Sequence, residues 1–246
     1  MNDIYLHHAP MYEAMYKTFI DYEEEYRMYR DLLAMPDEGH VAELGCGTCH
    51  MYPFFRSAGY KYTGIDLNPT MLDIGRKKYR AADLKEGDMR HFILKKPVDG
   101  AFLMSRTLSY MITNEDLLAV FSALFKNLKP GGRLAFDVID ASVFLPDIES
   151  VLEVVHTAYD KGIRYQRVSR YSLDNSQCWA FRWVSDYYVS GPDGSDKHVT
   201  SDDSVVRAFT AQDVDLALRL CGFGDVMYFE KQAYAFPTLV FRAVRL

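Results

Sequence analysis

The sequence predicts an α/β fold: a mostly parallel sheet with helices on both faces, interrupted by an antiparallel β insertion after the fifth strand. Three observations carry this. Between His40 and Val138, short apolar runs alternate with stretches of helical periodicity, the pattern of right-handed βαβ units. Between about Glu149 and Phe209, polar residues alternate with apolar or aromatic ones, the pattern of an antiparallel meander. Helical spacing and two strand-like runs return between Ala211 and Val244, so the meander interrupts the α/β unit rather than following it.

Apolar and aromatic residues at Tyr12, Met15, Tyr16, Phe19, Tyr22 and Tyr26 recur in steps of three and four. That spacing predicts one or two helices over Met11 to Leu33 with a tyrosine-rich stripe. Pro36-Asp37-Glu38-Gly39 is turn chemistry. HVAEL (His40 to Leu44), YKYTGID (Tyr60 to Asp66), DGAFLMS (Asp99 to Ser105) and RLAFDV (Arg133 to Val138) read as strands. Asn68 and Pro69 supply the N-cap and first position of a helix running to Arg80. Leu117, Phe121, Leu124, Phe125 and Leu128 share one face of a helix from Asn114, stopped by Lys129-Pro130-Gly131-Gly132. Glu149 to Tyr159, Gly162 to Leu173, Gln177 to Ser190 and Lys197 to Phe209 form the meander, with turns at Asp174-Asn175 and Gly191-Pro192-Asp193-Gly194. A helix over Ala211 to Leu220 and strands in VMYFE and TLVFRAV complete the chain. The implied organisation is a helical cap over 1–39, an α/β domain over 40–140 and 209–246, and an insertion over 141–208 that serves as a substrate lid or a dimer interface.

The 246 residues carry 28 Lys and Arg against 34 Asp and Glu, a net charge of −6, the wrong sign for gripping phosphate backbones. A small molecule is the better default partner. Four scattered cysteines and the lack of a basic-then-apolar leader point to a reducing, cytoplasmic compartment, and no apolar run is long enough to span a bilayer. Tyrosine is abundant at 18 residues, enough to line a pocket as well as a core.

VAELGCGTCH (Val41 to His50) is the strongest chemical signal. A strand delivers Glu43 to its carboxyl end, where Gly45 and Gly47 let the backbone turn and approach a ligand. A dinucleotide fold wants a third glycine where this chain has His50, which argues against NAD or FAD. Asp66, 19 residues beyond Gly47, ends the next strand, where a carboxylate can accept both ribose hydroxyls. Asp88 in EGDMRHF stands where the third strand would end. These residues converge on one sheet edge and suit a ribose-bearing ligand without a pyrophosphate.

ELGCGTC, GIDLNPTML, EGDMRHF, FLMSRTLSYM and LKPGGRLAFDV occur in the order of the motifs of class I S-adenosylmethionine-dependent methyltransferases, which residues Val41 to Val138 resemble. The resemblance implies a Rossmann-like seven-stranded sheet. It also implies that Gly45, Cys46 and Gly47 pass under the methionine part of S-adenosylmethionine, with Glu43 at the same edge. Asp66 would hold the ribose, Leu67 and Met71 would lie against the adenine, Asp88 and the Met89 backbone would read its edge, and Met104 would close the other side. YEAMYKTFIDYEEE, RTLSYM, the antiparallel insertion and VVRAFT are similar to small-molecule N-methyltransferases that dimethylate nucleotide-linked amino sugars. That likeness implies that Tyr16 lies over cofactor and substrate and that Tyr110 stands beside the acceptor nitrogen. The chain departs from it where such enzymes place an arginine before the last strand: Ala-Tyr-Ala-Phe-Pro (Ala233 to Pro237) stands there instead.

The expected activity is therefore methyl transfer to a nitrogen of a small amine or amino sugar, with S-adenosylhomocysteine as product. Tyr16 and Tyr110 are the catalytic candidates, positioning donor and acceptor. Arg167, Arg182 and Trp183 on the meander are candidates to floor the substrate pocket and bind an anionic group. Oxygen methylation ranks lower because no His-Asp pair or carboxylate cluster announces a base. A non-catalytic binding subunit ranks lower still, since the glycine loop and both carboxylates are intact. No metal is expected, because Cys46 and Cys49 form a CxxC without a second pair. No nucleic-acid or membrane partner is expected, and a homodimer is left open.

Overall fold

A computed structural model describes every residue except 1–3, 5, 6, 149–152, 177, 191–194, 234 and 235. Seven strands form the main sheet: β1 (His40–Leu44), β2 (Lys61–Asp66), β3 (Asp83–Glu86), β4 (Val98–Leu103), β5 (Leu128–Ile139), β10 (Phe223–Gln232) and β11 (Pro237–Arg245). Their order is β10-β11-β5-β4-β1-β2-β3, and only the pairings made by β11 are antiparallel. Strand order reverses between β1 and β4, which opens a crevice at their carboxyl ends.

Neighbouring residues on these strands feed opposite layers, as the two-residue pleat requires. Leu103 and Phe136 join a core with Phe121, Leu124 and Leu218 from the helices α5 (Asn114–Asn127) and α7 (Ala211–Leu220). Phe102 and Ala135 join a second core on the other face with Tyr29, Phe55 and Leu72. These come from α2 (Tyr22–Leu33), α3 (Tyr52–Ser57) and α4 (Pro69–Lys78). Caps fix the helix starts: Asn68 Oδ1 accepts from the Thr70 and Met71 N–H groups, and Thr113 and Thr210 hydroxyls accept from Asp116 and Asp213.

A second, antiparallel sheet of β6 (Val154–Asp160), β7 (Ile163–Leu173), β8 (Ala180–Ser190) and β9 (Asp196–Arg207) follows β5. It meets the main sheet through Ile139, Phe144, Phe181, Val206 and Phe236. Its other apolar patch, with Ala158, Tyr165 and Tyr187, packs on Met11 and Met15 of α1 (Ala9–Phe19).

The expected N-terminal stripe divides. Asp21 ends one helix and caps the next by accepting from the Glu23 and Glu24 N–H groups, both at 3.0 Å, which re-aims α2. Tyr26 consequently packs in the second core against Phe54 and Phe55 rather than over the glycine loop. Helix α5 ends at Asn127, ahead of Lys129 to Gly132 as expected, but these residues already run within β5, with a register shift against β4 between Val98 and Gly100. Helix α3, the one-turn helix α6 (Ala141–Phe144) and a 3₁₀ turn at Thr107–Tyr110 carry no periodic signal and were not expected. The proposed starts at Glu149 and Gln177, the turn at Gly191 to Gly194, and Tyr234 and Ala235 of the departing segment lie outside the described residues. Among the described residues no helix is long and apolar enough to cross a membrane.

Candidate active site

The loop after β1 is fastened to β2 by the Gly45 and Cys46 N–H groups, which both donate to the Ile65 carbonyl. Gly45 and Gly47 have positive φ, +71° and +52°. Their reasons differ. A Cβ on Gly45 would lie 2.4 Å from Thr107 Cγ2, so this glycine is demanded by the loop after β4 rather than by close approach of a ligand. A Cβ on Gly47 would instead stand between Met71 Cε at 3.6 Å and the Tyr12 hydroxyl at 3.8 Å. The Gly47 N–H donates to Asp66 Oδ2 at 2.7 Å, and the Asn68 N–H donates to Oδ1 at 2.8 Å. Each oxygen keeps lone pairs for further donors. Burial raises the Asp66 carboxyl despite these N–H groups.

Glu43 forms the base of the crevice, 2 % exposed, and accepts from the Tyr62 hydroxyl. Burial, helped by the nearby Asp66 charge, pushes its carboxyl up to about 8. It therefore holds its proton at neutral pH. Cys46 Sγ lies 3.6 Å from Cys49 Sγ, both buried, and contact with Cys49 together with burial pushes the Cys46 thiol up. Such thiols pack rather than react. Among the described residues no cluster of three or more metal-ligating side chains occurs.

Helix α1 roofs the loop. Glu13 accepts from the Thr48 hydroxyl and the Lys78 ammonium, and pairs with His50 Nε2 at 2.9 Å. Burial would raise its carboxyl, but the hydrogen bonds from His50, Lys78 and Thr48 win and hold it well below the usual carboxylate range. This clasp ties α1 to the glycine loop and to α4. It sets Tyr12 and Tyr16, stacked at 4.1 Å, over the crevice, while Tyr22 stacks on His50 at 4.4 Å.

The opposite wall is the loop after β4. Ser105 and Arg106 are successive left-handed residues, φ +58° and +60°, a conformation that costs about 1–2 kcal/mol per non-glycine residue. The Arg106 N–H donates to Asp137 Oδ1 at 2.7 Å, and the Thr107 hydroxyl donates to the Met104 carbonyl at 2.7 Å, which holds the loop in place. Burial raises the Asp137 carboxyl to about 6 against the field of Arg106. Tyr110 ends this loop, 38 % exposed. Burial raises the Tyr187 hydroxyl, and the neighbouring Tyr16 and Tyr110 add to the shift, so the three rings share one locality.

These walls line a cavity of about 100 Å³ that opens to the surface. Of the residues singled out from sequence, it brings together Tyr16, Glu43, Gly45, Cys46, Gly47, Met104, Tyr110 and Trp183. Asp66 stands behind the loop, held through Gly47. Leu67 is exposed next to it, and Met71 is buried beneath Gly47. Asp88 follows β3, and the Gly87 N–H before it donates to the Asp66 carbonyl. Its carboxylate is held low by Arg90, which also reaches Asp116 at 2.7 Å. Met89 packs half-buried on the main core.

The two meander arginines do not line the cavity. Arg182 and Trp183 are consecutive on β8 and must point to opposite faces. Arg182 pairs with Asp203 at the exposed surface, while Trp183 turns inward. Arg167 is fully buried behind the cavity, with its guanidinium 5.4 Å over the Trp183 ring and 5.3 Å over Phe19. It braces the indole. Sequence reasoning did not assign Glu13, Thr48, Arg106, Ser109 or Phe236 to the site. Glu13 reads as the polar face of a helix, and the left-handed turn at Ser105-Arg106 leaves no mark such as glycine.

The methyltransferase-domain family profile matches residues 41–132. A dTDP-3-amino-3,4,6-trideoxy-alpha-D-glucopyranose N,N-dimethyltransferase of Streptomyces venezuelae is 31 % identical over 129 residues, 51 % of this chain and 54 % of that protein. A dTDP-4-amino-2,3,4,6-tetradeoxy-D-glucose N,N-dimethyltransferase of Saccharopolyspora spinosa is 28 % identical over 130 residues, 51 % of each chain. The chain spans about half the length of the curated relatives it matches. In structure it resembles Streptomyces venezuelae DesVI, with a TM-score of 0.81 at 23 % identity over 95 % of this chain and 97 % of that one. It also resembles CalS10 of Micromonospora echinaspora, an amino pentose methyltransferase solved with S-adenosylmethionine bound, with a TM-score of 0.76 at 23 % identity over 96 % of each chain. Residues 41–132 thus match the methyltransferase-domain family, and the chain has the fold of the class I S-adenosylmethionine-dependent methyltransferases.

Proposed function

We propose that this chain is an S-adenosylmethionine-dependent methyltransferase acting on a nitrogen of a small metabolite. The observation that carries the reading is the joint of glycine loop and carboxylate: Gly47 N–H on Asp66 Oδ2 at the carboxyl edge, with open lone pairs on both oxygens. That donor set fits a ribose, Leu67 beside it offers an exposed apolar platform, and Glu43 at the base of the cavity fits a cationic group. Asp88 and Met89 continue the same edge and suit the adenine end. When bound, the sulfonium would supply an electrophilic methyl group, with the neutral thioether of S-adenosylhomocysteine as the leaving group.

The residues of this chain then have positioning work. Tyr16 from the roof and Tyr110 from the opposite wall face the same space and suit alignment of the attacking nitrogen. An amine must arrive without its proton, whereas a hydroxyl needs a base to remove one. Among the described lining residues, Glu43 is taken up by the cationic group of the cofactor and His50 Nε2 is already engaged with Glu13. This favours nitrogen over oxygen. Helix α1 supplies the roof and the meander, through Trp183 and Val206, a side wall, so the insertion is read as a lid over the acceptor.

Incubating the protein with S-adenosylmethionine and a panel of amines and hydroxyl compounds, while following S-adenosylhomocysteine release, tests the reading. Turnover with amines is expected; release with hydroxyl acceptors alone would overturn the nitrogen assignment.

A further inference from the structure

We infer that the methyl acceptor is a compact amine carrying an oxygen that Ser109 and Trp183 recognise, and that it is not linked to a nucleoside diphosphate. This deepens the methyltransferase reading and rests on it.

Ser109 and Trp183 both line the cavity. Ser109 is 2 % exposed, and its Oγ has no hydrogen-bond partner among the described residues; the buried Trp183 Nε1 has none either. Leaving such donors unpaired costs about 1–3 kcal/mol each, so native structures almost always satisfy them. The backbone around Ser109 is committed, since its N–H donates to the Arg106 carbonyl in the 3₁₀ turn. The indole is fixed too: Arg167 covers one face, and Phe236 meets it edge-on, with centroids 5.4 Å apart at 80°. An indole N–H only donates, and the serine hydroxyl donates freely. The indole therefore lacks an acceptor and the serine a polar partner, and a hydroxyl or carboxylate oxygen on the methyl acceptor supplies both within the cavity that Tyr16 and Tyr110 also line.

Charge limits the rest of the acceptor. Of the described lining residues Arg106 alone is a lysine or arginine, and none of the residues outside the description is either type. Its guanidinium already donates to the Thr238 hydroxyl at 3.3 Å and lies 5.5 Å over the Phe236 ring. Its field also falls on the buried Asp137 carboxyl. A diphosphate brings two negative charges, and burying charge without matched partners is heavily penalised. The cavity accommodates one negative charge at most. Ile139, Val206 and Phe236 make its far wall apolar, so the acceptor has a small apolar body with one oxygen-bearing end.

The test is steady-state methyl transfer with the whole chain. The acceptors are amino alcohols, amino acids, free amino sugars, alkylamines of matched size without oxygen, and a nucleoside-diphosphate-linked amino sugar. Amines bearing an oxygen are expected to turn over, and their alkylamine counterparts to lose about tenfold or more in kcat/KM, the scale of one lost buried hydrogen bond. Amino alcohols against amino acids separates the hydroxyl from the carboxylate. Ser109→Ala and Trp183→Phe are expected to raise acceptor KM about tenfold each while S-adenosylmethionine affinity stays within about twofold. Preference for the nucleotide-linked sugar, or an unchanged KM in a folded Ser109→Ala variant, overturns the inference and leaves the methyltransferase reading standing. Absence of S-adenosylmethionine binding in the unaltered protein sinks both. Should both variants fail to fold, the acceptor panel alone decides.

Discussion

Glu43 makes cofactor binding pH-dependent in a direction that follows from its burial. Its carboxyl titrates at about 8 in the folded chain against an ordinary 4.5, so the folded state carries an extra proton between those values. Stability from this group is fully present below the ordinary value and is lost as pH rises through about 8. A cationic ligand beside Glu43 favours the carboxylate and displaces that proton. S-adenosylmethionine affinity measured by calorimetry is accordingly expected to rise from pH 6 to pH 8, with proton release, and Glu43→Gln to flatten the trend. An affinity independent of pH in the unaltered protein contradicts this role. Residue-level reading of the sequence reached Glu43 and Asp66 because strand ends and glycines mark them. It misplaced Arg182 because composition alone does not say which face of a strand looks inward, and it could not see Ser109, whose meaning lies in a missing partner.

At the scale of elements, Glu13 joins α1 to the glycine loop and α4. Glu13→Ala removes the common acceptor of Thr48, His50 and Lys78. The expected loss is about 1–3 kcal/mol by denaturant titration, the range for charged hydrogen bonds. Faster amide exchange in residues 9–19 and weaker cofactor binding are expected with it. Exchange unchanged in that segment means that packing on the meander, through Met11 and Met15, suffices. The helix start at Asn68 was legible from its capping side chain; the caps Thr113 and Thr210 emerge only in the structure. The break at Asp21 was not, since Glu23, Glu24 and Glu25 read equally well as a solvated helix face.

For the molecule as a whole, the cavity exists because two sheets meet at it, the main sheet supplying Glu43 and Ile139 and the meander Trp183 and Val206. Phe144 packs at that junction, 4.9 Å from Phe181 and 5.1 Å from Phe236 by ring centroids. Phe144→Ala is expected to cost about 3–5 kcal/mol of stability. It should raise acceptor KM more than it weakens cofactor binding, because the meander wall shifts while the glycine loop does not. Equal effects on both would show the two halves to be one rigid unit. The alternation of elements made the sheet and the insertion readable in the sequence; the angle at which the insertion folds back, set by Phe144, Phe181 and Phe236, has no local signature. The account rests on the sheet edge at Gly47 and Asp66 being the cofactor site. Calorimetric titration of S-adenosylmethionine into the unaltered chain and into Asp66→Ala measures this directly. Micromolar-range binding, weakened about tenfold or more in the variant, a loss of roughly 1.4 kcal/mol, is the predicted result. Undiminished binding by a folded Asp66→Ala protein would contradict it.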